Sequence, residues 1–347
     1  MRRWFLSAEV LCALCLVPGV AAAESSQRFA LLVEGAPGDQ AHADLQRKLL
    51  ASLETRFRDE YKLDTAHLIV LASEPETGEG TATAMEVKAA LARFTPLVKH
   101  LDTLFVMLLG HGSWDGTDAK FNLIGPDLTA HEWAGLLAPV TGKIVFVDTT
   151  PASSPFLKAL AGDNRVIITA TDQPGQKYDT VFADAFVQAL GAPTADLDKD
   201  SRISMWEAFA YASRLVRLTY EQKQLLQPEH AVLDDDGDGT GRQATGDGKD
   251  GTLASLTFMD AVVASRPADP ELQQMVQRQE QLVLQLDALK KKKAQMKPEE
   301  YQPAWEALII DLATVSRDVR ARLKGPGVRV ADPTSSHRPA QTAQEIG

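Results

Sequence analysis

Leu104-Phe-Val-Met-Leu-Leu-Gly-His-Gly112 is an apolar run that ends in a histidine between two glycines. Such a run predicts a strand buried on both faces, as in a parallel sheet. The histidine then falls at the carboxyl end of the strand, which is the edge where open α/β sheets bind ligands. The flanking glycines allow a sharp turn and a close approach of the backbone to a ligand. We therefore expect His111 to lie in a cleft.

Apolar, β-rich runs alternate with helical patterns on both sides of this stretch. The runs that predict strands are Phe29–Val33, His67–Leu71, Leu104–Leu109, Lys143–Val147 and Arg165–Thr169. The helix candidates between them are Ala41–Tyr61, Thr83–Arg93, Ala130–Leu137 and Phe156–Leu160. Helical connections between strands of this kind imply crossovers to parallel neighbours. Residues 24–190 are therefore predicted to form an α/β domain with a mostly parallel sheet flanked by helices.

The fourth predicted strand ends in Asp148-Thr-Thr-Pro-Ala-Ser-Ser-Pro-Phe156. A strand ending in His-Gly, followed by a strand ending in an acidic residue, a small residue and the nucleophile, resembles the legumain and caspase group of cysteine peptidases. The resemblance covers roughly residues 28 to 190 and implies a caspase-like sheet. It also implies that His111 is the general base or acid, that the Gly112 amide belongs to the oxyanion hole, and that Thr150 occupies the nucleophile position.

Residues 1–23 have the pattern of a removable secretion signal. Arg2 and Arg3 supply positive charge, Val10–Val20 is apolar, and Ala21–Ala23 is a small-residue cleavage site. The apolar stretch is too short to span a bilayer, and no other stretch of the sequence is long and apolar enough. We therefore expect an exported protein, periplasmic or secreted, with no integral membrane segment after cleavage.

The expected mature chain has no thiol, because Cys12 and Cys15 both lie in this signal. That excludes disulfides, thiolate metal sites and a cysteine nucleophile. The loop at the nucleophile position offers hydroxyls instead, from Thr149, Thr150, Ser153 and Ser154. A hydroxyl needs a base in contact with it and an orienting third group. Three acids are equivalent candidates for that third group: Asp115, Asp148 and Asp172.

The charge balance is acidic, with 36 basic and 47 acidic side chains and a net charge of −11. Arg2, Arg3 and Glu9 give the signal a net charge of +1, so −11 becomes −12 in the mature chain. This balance argues against nucleic acid or an anionic membrane as a partner. The six histidines other than His111 show no metal-ligand spacing. An unidentified protein or peptide is the partner that we expect.

Residues 196–207, Asp-Leu-Asp-Lys-Asp-Ser-Arg-Ile-Ser-Met-Trp-Glu, match the EF-hand calcium loop. Positions 1, 3, 5, 7, 9 and 12 of that loop supply oxygen ligands, and here they are Asp196, Asp198, Asp200, Arg202, Ser204 and Glu207. Position 6 is Ser201 rather than glycine, which should weaken binding without abolishing it. The alternative is a helix N-terminus whose aspartates stabilise the dipole without a metal. We favour a Ca²⁺ site.

A second acidic stretch, residues 234–251, holds six aspartates and six glycines and is predicted to be a loop. A register that starts at Asp234 places Asp236 and Asp238 at positions 3 and 5 but ends on a threonine. A register that starts at Asp236 ends on Asp247. Two interpretations remain open, namely a non-standard calcium loop completed by distant oxygens and a solvated acidic turn.

The C-terminal part of the chain has helical periodicity. Apolar residues recur at three–four spacing in a heptad-like seam from Leu272 to Met296 and in a second stripe from Trp305 to Val319, on either side of Lys297-Pro298. This predicts an antiparallel helical hairpin over 269–324, with Pro303 kinking or defining the start of its second helix. Residues 191–268 are then an acidic calcium-binding region, and the polar tail 325–347 is predicted to be disordered.

These features predict an exported calcium-binding protein with a legumain- or caspase-like domain that is catalytically inactive and serves as a binding or assembly module. One alternative is a hydrolase that uses His111 with a threonine or serine near residue 150. Another is a structural envelope protein organised by its helical hairpin.

Overall fold

The computed structural model describes residues 26–260 and 269–324. The predicted signal, the predicted disordered tail and the segment 261–268 lie outside the described residues. The described chain is an α/β fold with a mostly parallel sheet flanked by helices, as the sequence predicts. None of the helices in these two ranges is long and apolar enough to cross a membrane.

The main sheet forms around the predicted strands. Its members in chain order are β1 Arg28–Glu34, β2 Leu68–Ala72, β3 Gly80–Thr81, β4 Thr103–Leu109, β8 Lys143–Asp148, β9 Arg165–Thr169 and β10 Val232–Asp234. Among the described residues these seven strands lie in the order β10-β9-β8-β4-β1-β2-β3, and only β10 is antiparallel to its neighbour. The five strands predicted from the sequence are present to within one residue at each end.

Helices cover both faces of the sheet because alternate strand residues carry apolar side chains to opposite sides. The helices are α1 Gln40–Thr55, α2 Ala84–Phe94, α3 Ala130–Leu137, α4 Ser154–Leu160, α5 Phe182–Ala189, α6 Met205–Gln222 and α7 Thr252–Ser255. On one face Leu32 belongs to a core shared with α1, α5 and α6. On the other face Leu31 belongs to a core shared with α2, α3 and α4. The predicted first helix continues past α1 as a π-helical turn, Arg56–Glu60.

A small antiparallel sheet follows the histidine motif, and the sequence reading did not predict it. Its strands are β5 Gly112–Trp114, β6 Ala119–Phe121 and β7 Leu128–Thr129. The backbone N–H of Asn122 donates to the His111 carbonyl at 3.0 Å. The turn after β4 is therefore held in place by a hydrogen bond from the residue that follows β6.

The acidic region shares its core with the sheet. Met205 and Phe209 of α6 are buried in the same apolar cluster as Leu32 and Leu233. In β10, Leu233 pairs with Ile168 of β9. The acidic loops are thus held between elements whose positions are set by apolar packing.

The C-terminal helices form the predicted hairpin. They are α8 Pro270–Lys292 and α9 Pro298–Lys324, separated by a 3-10 turn at Lys293–Gln295. Leu282, Leu286 and Leu312 are buried between them, and Val283 also packs on the core of the α/β unit. Of the two alternatives for Pro303, the one in which it defines the start of the second helix is wrong, since α9 begins at Pro298 and Pro303 lies inside it.

Candidate functional site

The carboxyl edge of the sheet brings together Gly112 and Thr150, as the adjacent parallel strands β4 and β8 require. Leu108 of β4 is in register with Asp148 of β8. A Cβ placed on Gly112 would lie 2.5 Å from Thr150 Oγ1, a distance that side chains do not tolerate. Glycine is therefore needed at 112 because the threonine loop packs directly against its backbone.

The hydroxyl of Thr150 is hydrogen-bonded to Asp148. Oγ1 donates to Asp148 Oδ1 at 2.7 Å, and the backbone N–H of Thr150 donates to the same oxygen at 3.0 Å. Thr150 is 1% exposed and Asp148 is fully buried. Burial raises the pKa of Asp148 to about 7, against the two hydrogen bonds from Thr150, which lower it. Its Oδ2 is buried without a hydrogen-bond partner among the described residues, and protonation of that oxygen removes the cost of burying a charge.

His111 points to other partners. Its Nε2 lies 2.8 Å from the carbonyl oxygen of Pro37, and its Nδ1 lies 3.6 Å from Asp179 Oδ1. Within the described ranges, no hydrogen bond joins His111 to Thr150. A general base must reach the proton it removes, through about 2.6–3.2 Å or one water. The arrangement therefore lacks the histidine–hydroxyl pair that the peptidase resemblance would require.

The other candidate hydroxyls and acids are also engaged elsewhere. Thr149 Oγ1 donates to the Leu108 carbonyl at 2.7 Å, and Ser153 Oγ lies 3.1 Å from Thr171 Oγ1. Asp115 accepts from its own turn and from Lys120, which lowers its pKa. Asp172 accepts from Gln243. In the described part of the chain, the carboxylate nearest to His111 is that of Asp179, an acid that the sequence reading did not consider.

A group of three side chains surrounds that carboxylate. His42, His111 and Asp179 offer ligand atoms that all lie within 4.8 Å of one another. His42 sits in the first turn of α1, where its Nδ1 is 2.8 Å from Asp39 Oδ1 and its Nε2 is 3.0 Å from Asp179 Oδ2. The hydrogen bonds that His42 donates, first to Asp39 and then to Asp179, raise the pKa of His42. Spacing along the chain gave no sign of this group, because its members follow three different strands.

The loop at 196–207 is organised by its own carboxylates. Asp196 Oδ2 accepts from the N–H of Ser201 at 3.0 Å, and Asp198 Oδ1 accepts from the N–H of Asp200 at 3.1 Å. Asp200 Oδ1 accepts from the N–H of Arg202 at 2.8 Å. Ser201 adopts a φ of 70°, the left-handed conformation for which this position prefers glycine.

Glu207 closes the loop from the first turn of α6. Its Oε1 accepts from the N–H groups of Leu197 and Asp198, at 2.7 and 3.2 Å. Its Oε2 accepts from both the N–H and the hydroxyl of Ser204, which forms a capping box with it. The structure therefore groups Asp196, Asp198 and Glu207 as ligand candidates around one point, with Asp200, Arg202 and Ser204 on the same loop.

The second acidic loop repeats these contacts in the register that starts at Asp234. Asp234 Oδ2 accepts from the N–H of Gly239 at 2.8 Å, and Asp236 Oδ1 accepts from the N–H of Asp238 at 3.1 Å. Asp238 Oδ1 accepts from the N–H of Thr240 at 2.7 Å. The glycine at position 6 has a φ of 76°, close to that of Ser201.

Asp250 closes this second loop, and the sequence reading missed it. Its Oδ1 accepts from the N–H groups of Asp235 and Asp236 at 3.0 and 3.3 Å, which are loop positions 2 and 3. Asp234, Asp236 and Asp250 form a group with the geometry to hold a metal ion. Burial raises the pKa of Asp250 to about 6, and in the first loop burial raises the pKa of Asp200 to about 6. Asp247, the closing acid of the other register, is exposed.

Comparison with known proteins gives no family for this chain. No protein-family model matches it, and no curated protein is significantly similar to it. Among solved structures, protein GSU0716 from Geobacter sulfurreducens is similar at 12% sequence identity, over 60% of this chain and 92% of that chain, with a TM-score of 0.38. A similarity at this level carries no argument about function.

Proposed function

We propose that this chain is an exported calcium-binding protein whose peptidase-like α/β domain is a non-catalytic binding or assembly module for a protein or peptide. The observation that carries the calcium proposal is that two separate loops arrange their acids with the same five backbone hydrogen bonds. In each loop the first acid accepts from position 6, the third-position acid from position 5, and the fifth-position acid from position 7. A closing acid accepts from positions 2 and 3.

These contacts matter because they hold like charges close together. Three carboxylates in each loop have oxygens within 4.8 Å of one another. Carboxylates at such distances repel, and partial burial removes the water that would screen them. Ca²⁺ is bound by six to eight oxygens at about 2.3–2.6 Å, from carboxylates, carbonyls and waters. A calcium ion in each loop would neutralise this repulsion with oxygens that the backbone has already positioned.

The non-catalytic part of the proposal is supported by the sheet edge. Gly112 and Thr150 lie together, as the legumain or caspase resemblance implies. The thiol is missing, however, and the Thr150 hydroxyl donates to Asp148 instead of to His111. The sheet edge would then offer a surface for an extended or looped partner without the groups needed to cleave it.

Thermal unfolding tests the calcium proposal. Millimolar CaCl₂ should raise the melting temperature of the full chain above its value in a chelator, and the variant Asp196→Ala/Glu207→Ala should lose the part of that rise that comes from the first loop. The matched control is Asp59→Ala/Glu74→Ala, which removes two exposed carboxylates outside both loops. A wild-type melting curve that is unchanged by calcium would overturn the proposal.

A second candidate function is a hydrolase with Thr150 as nucleophile. The observation in its favour is the 2.7 Å hydrogen bond from Thr150 Oγ1 to Asp148, a carboxyl whose pKa is raised to about 7. The burial of Thr150 opposes it. A serine-reactive phosphonate should label the chain if this candidate is correct, and the label should disappear in Thr150→Val. If His111 also takes part, His111→Ala should lose the label as well.

A further inference from the structure

We propose that His42, His111 and Asp179 form a transition-metal site, of the kind that takes Zn²⁺, at the carboxyl edge of the sheet. Neither acidic loop contributes to it, so the site is separate from the calcium sites proposed above. Its ligands come from the segments that follow β1, β4 and β9. The metal would lie at the edge of the sheet where the peptidase resemblance places catalytic chemistry.

Two separations between the candidate ligand atoms are close to those of a tetrahedral zinc site. Zinc ligands at about 2.0–2.1 Å from the metal lie about 3.3 Å from one another at the tetrahedral angle. The distance from His42 Nε2 to Asp179 Oδ2 is 3.0 Å, and the distance from His111 Nδ1 to Asp179 Oδ1 is 3.6 Å. Both values are close to this separation. They end on different oxygens of Asp179, and one ligand atom from each of the three residues lies within 4.8 Å of the others. The imidazole rings have centroids 4.8 Å apart, so both nitrogens reach the same carboxylate.

Second contacts hold both rings in the orientation that a metal needs. The carbonyl oxygen of Pro37 can only accept, so the nitrogen 2.8 Å from it, His111 Nε2, carries the proton. The Nδ1 lone pair of a neutral His111 then faces Asp179. Asp39 likewise accepts from His42 Nδ1, and a metal would displace the Nε2 proton that His42 shares with Asp179. Metal-binding histidines almost always donate their remote N–H to a carboxylate or a carbonyl in this way.

The lone pair of His111 and the carboxylate of Asp179 are both acceptors, and two acceptors that face each other repel. A proton between His42 and Asp179 reduces the repulsion only at that pair of atoms. His111 cannot do the same with its N–H, because that N–H donates to the carbonyl oxygen of Pro37. A dication between the three atoms satisfies both nitrogens and the carboxylate at once. This is the physical reason to propose a metal for the cluster.

The backbone holds each ligand in place. Asp39 caps α1 by accepting from the N–H of His42, so one carboxylate positions both the backbone and the ring of that residue. Asp179 is followed by Thr180, whose hydroxyl donates to the Thr149 carbonyl at 2.6 Å, and by Val181, whose N–H donates to Glu229 at 2.8 Å. The ligand loop is thereby tied to the loop at the nucleophile position.

The donor set selects the class of metal. Two neutral imidazoles and one carboxylate suit zinc and its neighbours, whereas calcium prefers oxygens alone. Three protein ligands leave a fourth position for water or for a carboxylate of a bound partner. Ferrous iron also binds two histidines and one carboxylate, so Zn²⁺ and Fe²⁺ are to be compared directly.

The test is a calorimetric titration of the calcium-saturated full chain with ZnCl₂, and with Fe²⁺ under anaerobic conditions. We expect one tight Zn²⁺ per chain, and we expect His42→Gln and Asp179→Asn each to weaken it by about 100-fold or more. Asp39→Asn should weaken it by about 10–100-fold, the usual effect of losing a partner behind a metal-bound histidine. Tighter binding of Fe²⁺ than of Zn²⁺ would overturn the assignment to zinc.

Two matched variants make the result specific. His131 is also a histidine beside an aspartate, with Nδ1 2.8 Å from Asp118 Oδ2, and His131→Gln should leave Zn²⁺ binding unchanged. Asp196→Ala/Glu207→Ala should also retain Zn²⁺ binding, which separates this site from the calcium loops. Unchanged calcium-dependent melting in His42→Gln shows that the variant is folded. Wild-type Zn²⁺ affinity in both His42→Gln and Asp179→Asn, or no Zn²⁺ binding by the wild type, would overturn the proposal.

Discussion

The two acidic loops solve one geometric problem with different sequences. In the first, the closing acid is Glu207, eleven residues after Asp196 and part of the helix that leaves the loop. In the second, the closing acid is Asp250, sixteen residues after Asp234 and separated from it by a glycine-rich segment. Both acids nevertheless accept from the N–H groups of loop positions 2 and 3. A cation site of this kind is thus defined by the hydrogen bonds between backbone N–H groups and carboxylates. A fixed spacing in the sequence is only one way to place the carboxylates for these bonds.

The strongest test of the comparison removes each closing charge. Glu207→Gln and Asp250→Asn keep an oxygen that can accept from the same N–H groups but lose the negative charge that a cation needs. We expect each variant to lose one calcium of two in a calorimetric titration, with affinity at the altered loop reduced about tenfold or more.

Asp247→Asn is the matched control for the second loop. It removes the same charge from the same segment, but Asp247 is exposed and closes only the register that the structure does not adopt. Calcium stoichiometry should stay at two. If Asp247→Asn and Asp250→Asn have the same calcium stoichiometry, Asp250 does not have the role in the second loop that Glu207 has in the first.

An intermediate effect is expected from pH. Burial, assisted by neighbouring aspartates, raises the pKa of both Asp200 and Asp250 to about 6. In chelator, the folded protein therefore holds these protons more tightly than the unfolded chain. Its unfolding free energy should fall as pH rises from about 4 to about 6, by roughly 1–3 kcal/mol per carboxyl, and stay low above that range.

Calcium should reverse this loss, because it binds the ionised carboxylates. The difference in melting temperature between calcium and chelator should therefore grow from pH 5 to pH 7. Asp148, whose pKa burial raises to about 7, changes stability with the same sign but in both conditions, so it cancels from the difference. A calcium effect that is the same at pH 5 and pH 7 would contradict the assignment of these acids to the sites.

The smallest expected effect comes from position 6 of each loop. Ser201 and Gly239 both have positive φ, at 70° and 76°. Ser201→Gly should stabilise the protein by about 0.5–1 kcal/mol, because a non-glycine residue is strained in this conformation. Gly239→Ala should destabilise it by about 1 kcal/mol. A Cβ at 239 would meet Lys158 Cγ at an ordinary 3.5 Å, so the cost there is conformational and not steric.

Urea unfolding in calcium and in chelator measures both changes. Opposite signs are expected for the two substitutions in both conditions. Equal signs would show that position 6 does not play the same part in the two loops.

The parallel strands were predictable because burial on both faces leaves an unbroken apolar run, as in Leu104–Leu109. The hairpin was predictable because its two stripes repeat over many turns. Strand β10 was not, since three residues ahead of a run of aspartates read as a loop. The small sheet after His111 was missed for a similar reason, because its strands are only two or three residues long. A strand of two or three residues is stabilised mainly by hydrogen bonds to its neighbouring strands, and a local sequence pattern does not reveal that pairing.

The candidate sites divide in the same way. The ligands of the first loop follow a local pattern, and the structure places Asp196, Asp198 and Glu207 together. Asp250, His42 and Asp179 belong to groups that form only when separate segments meet at one edge of the fold. No spacing rule within a single segment contains that information.

The short strand β10 gives the second loop a further consequence. Asp234 is both the last residue of β10 and the first acid of the loop, so the grip of the loop on its backbone also anchors the strand. Beneath β10 lies β9, Arg-Val-Ile-Ile-Thr, whose outer edge β10 covers with three paired residues. An uncovered edge of this composition is a template for pairing with other copies of the chain. Loss of the loop contacts would therefore expose the edge of β9 and favour self-association of the chain. The aspartates of the second loop would in this way protect the protein against aggregation.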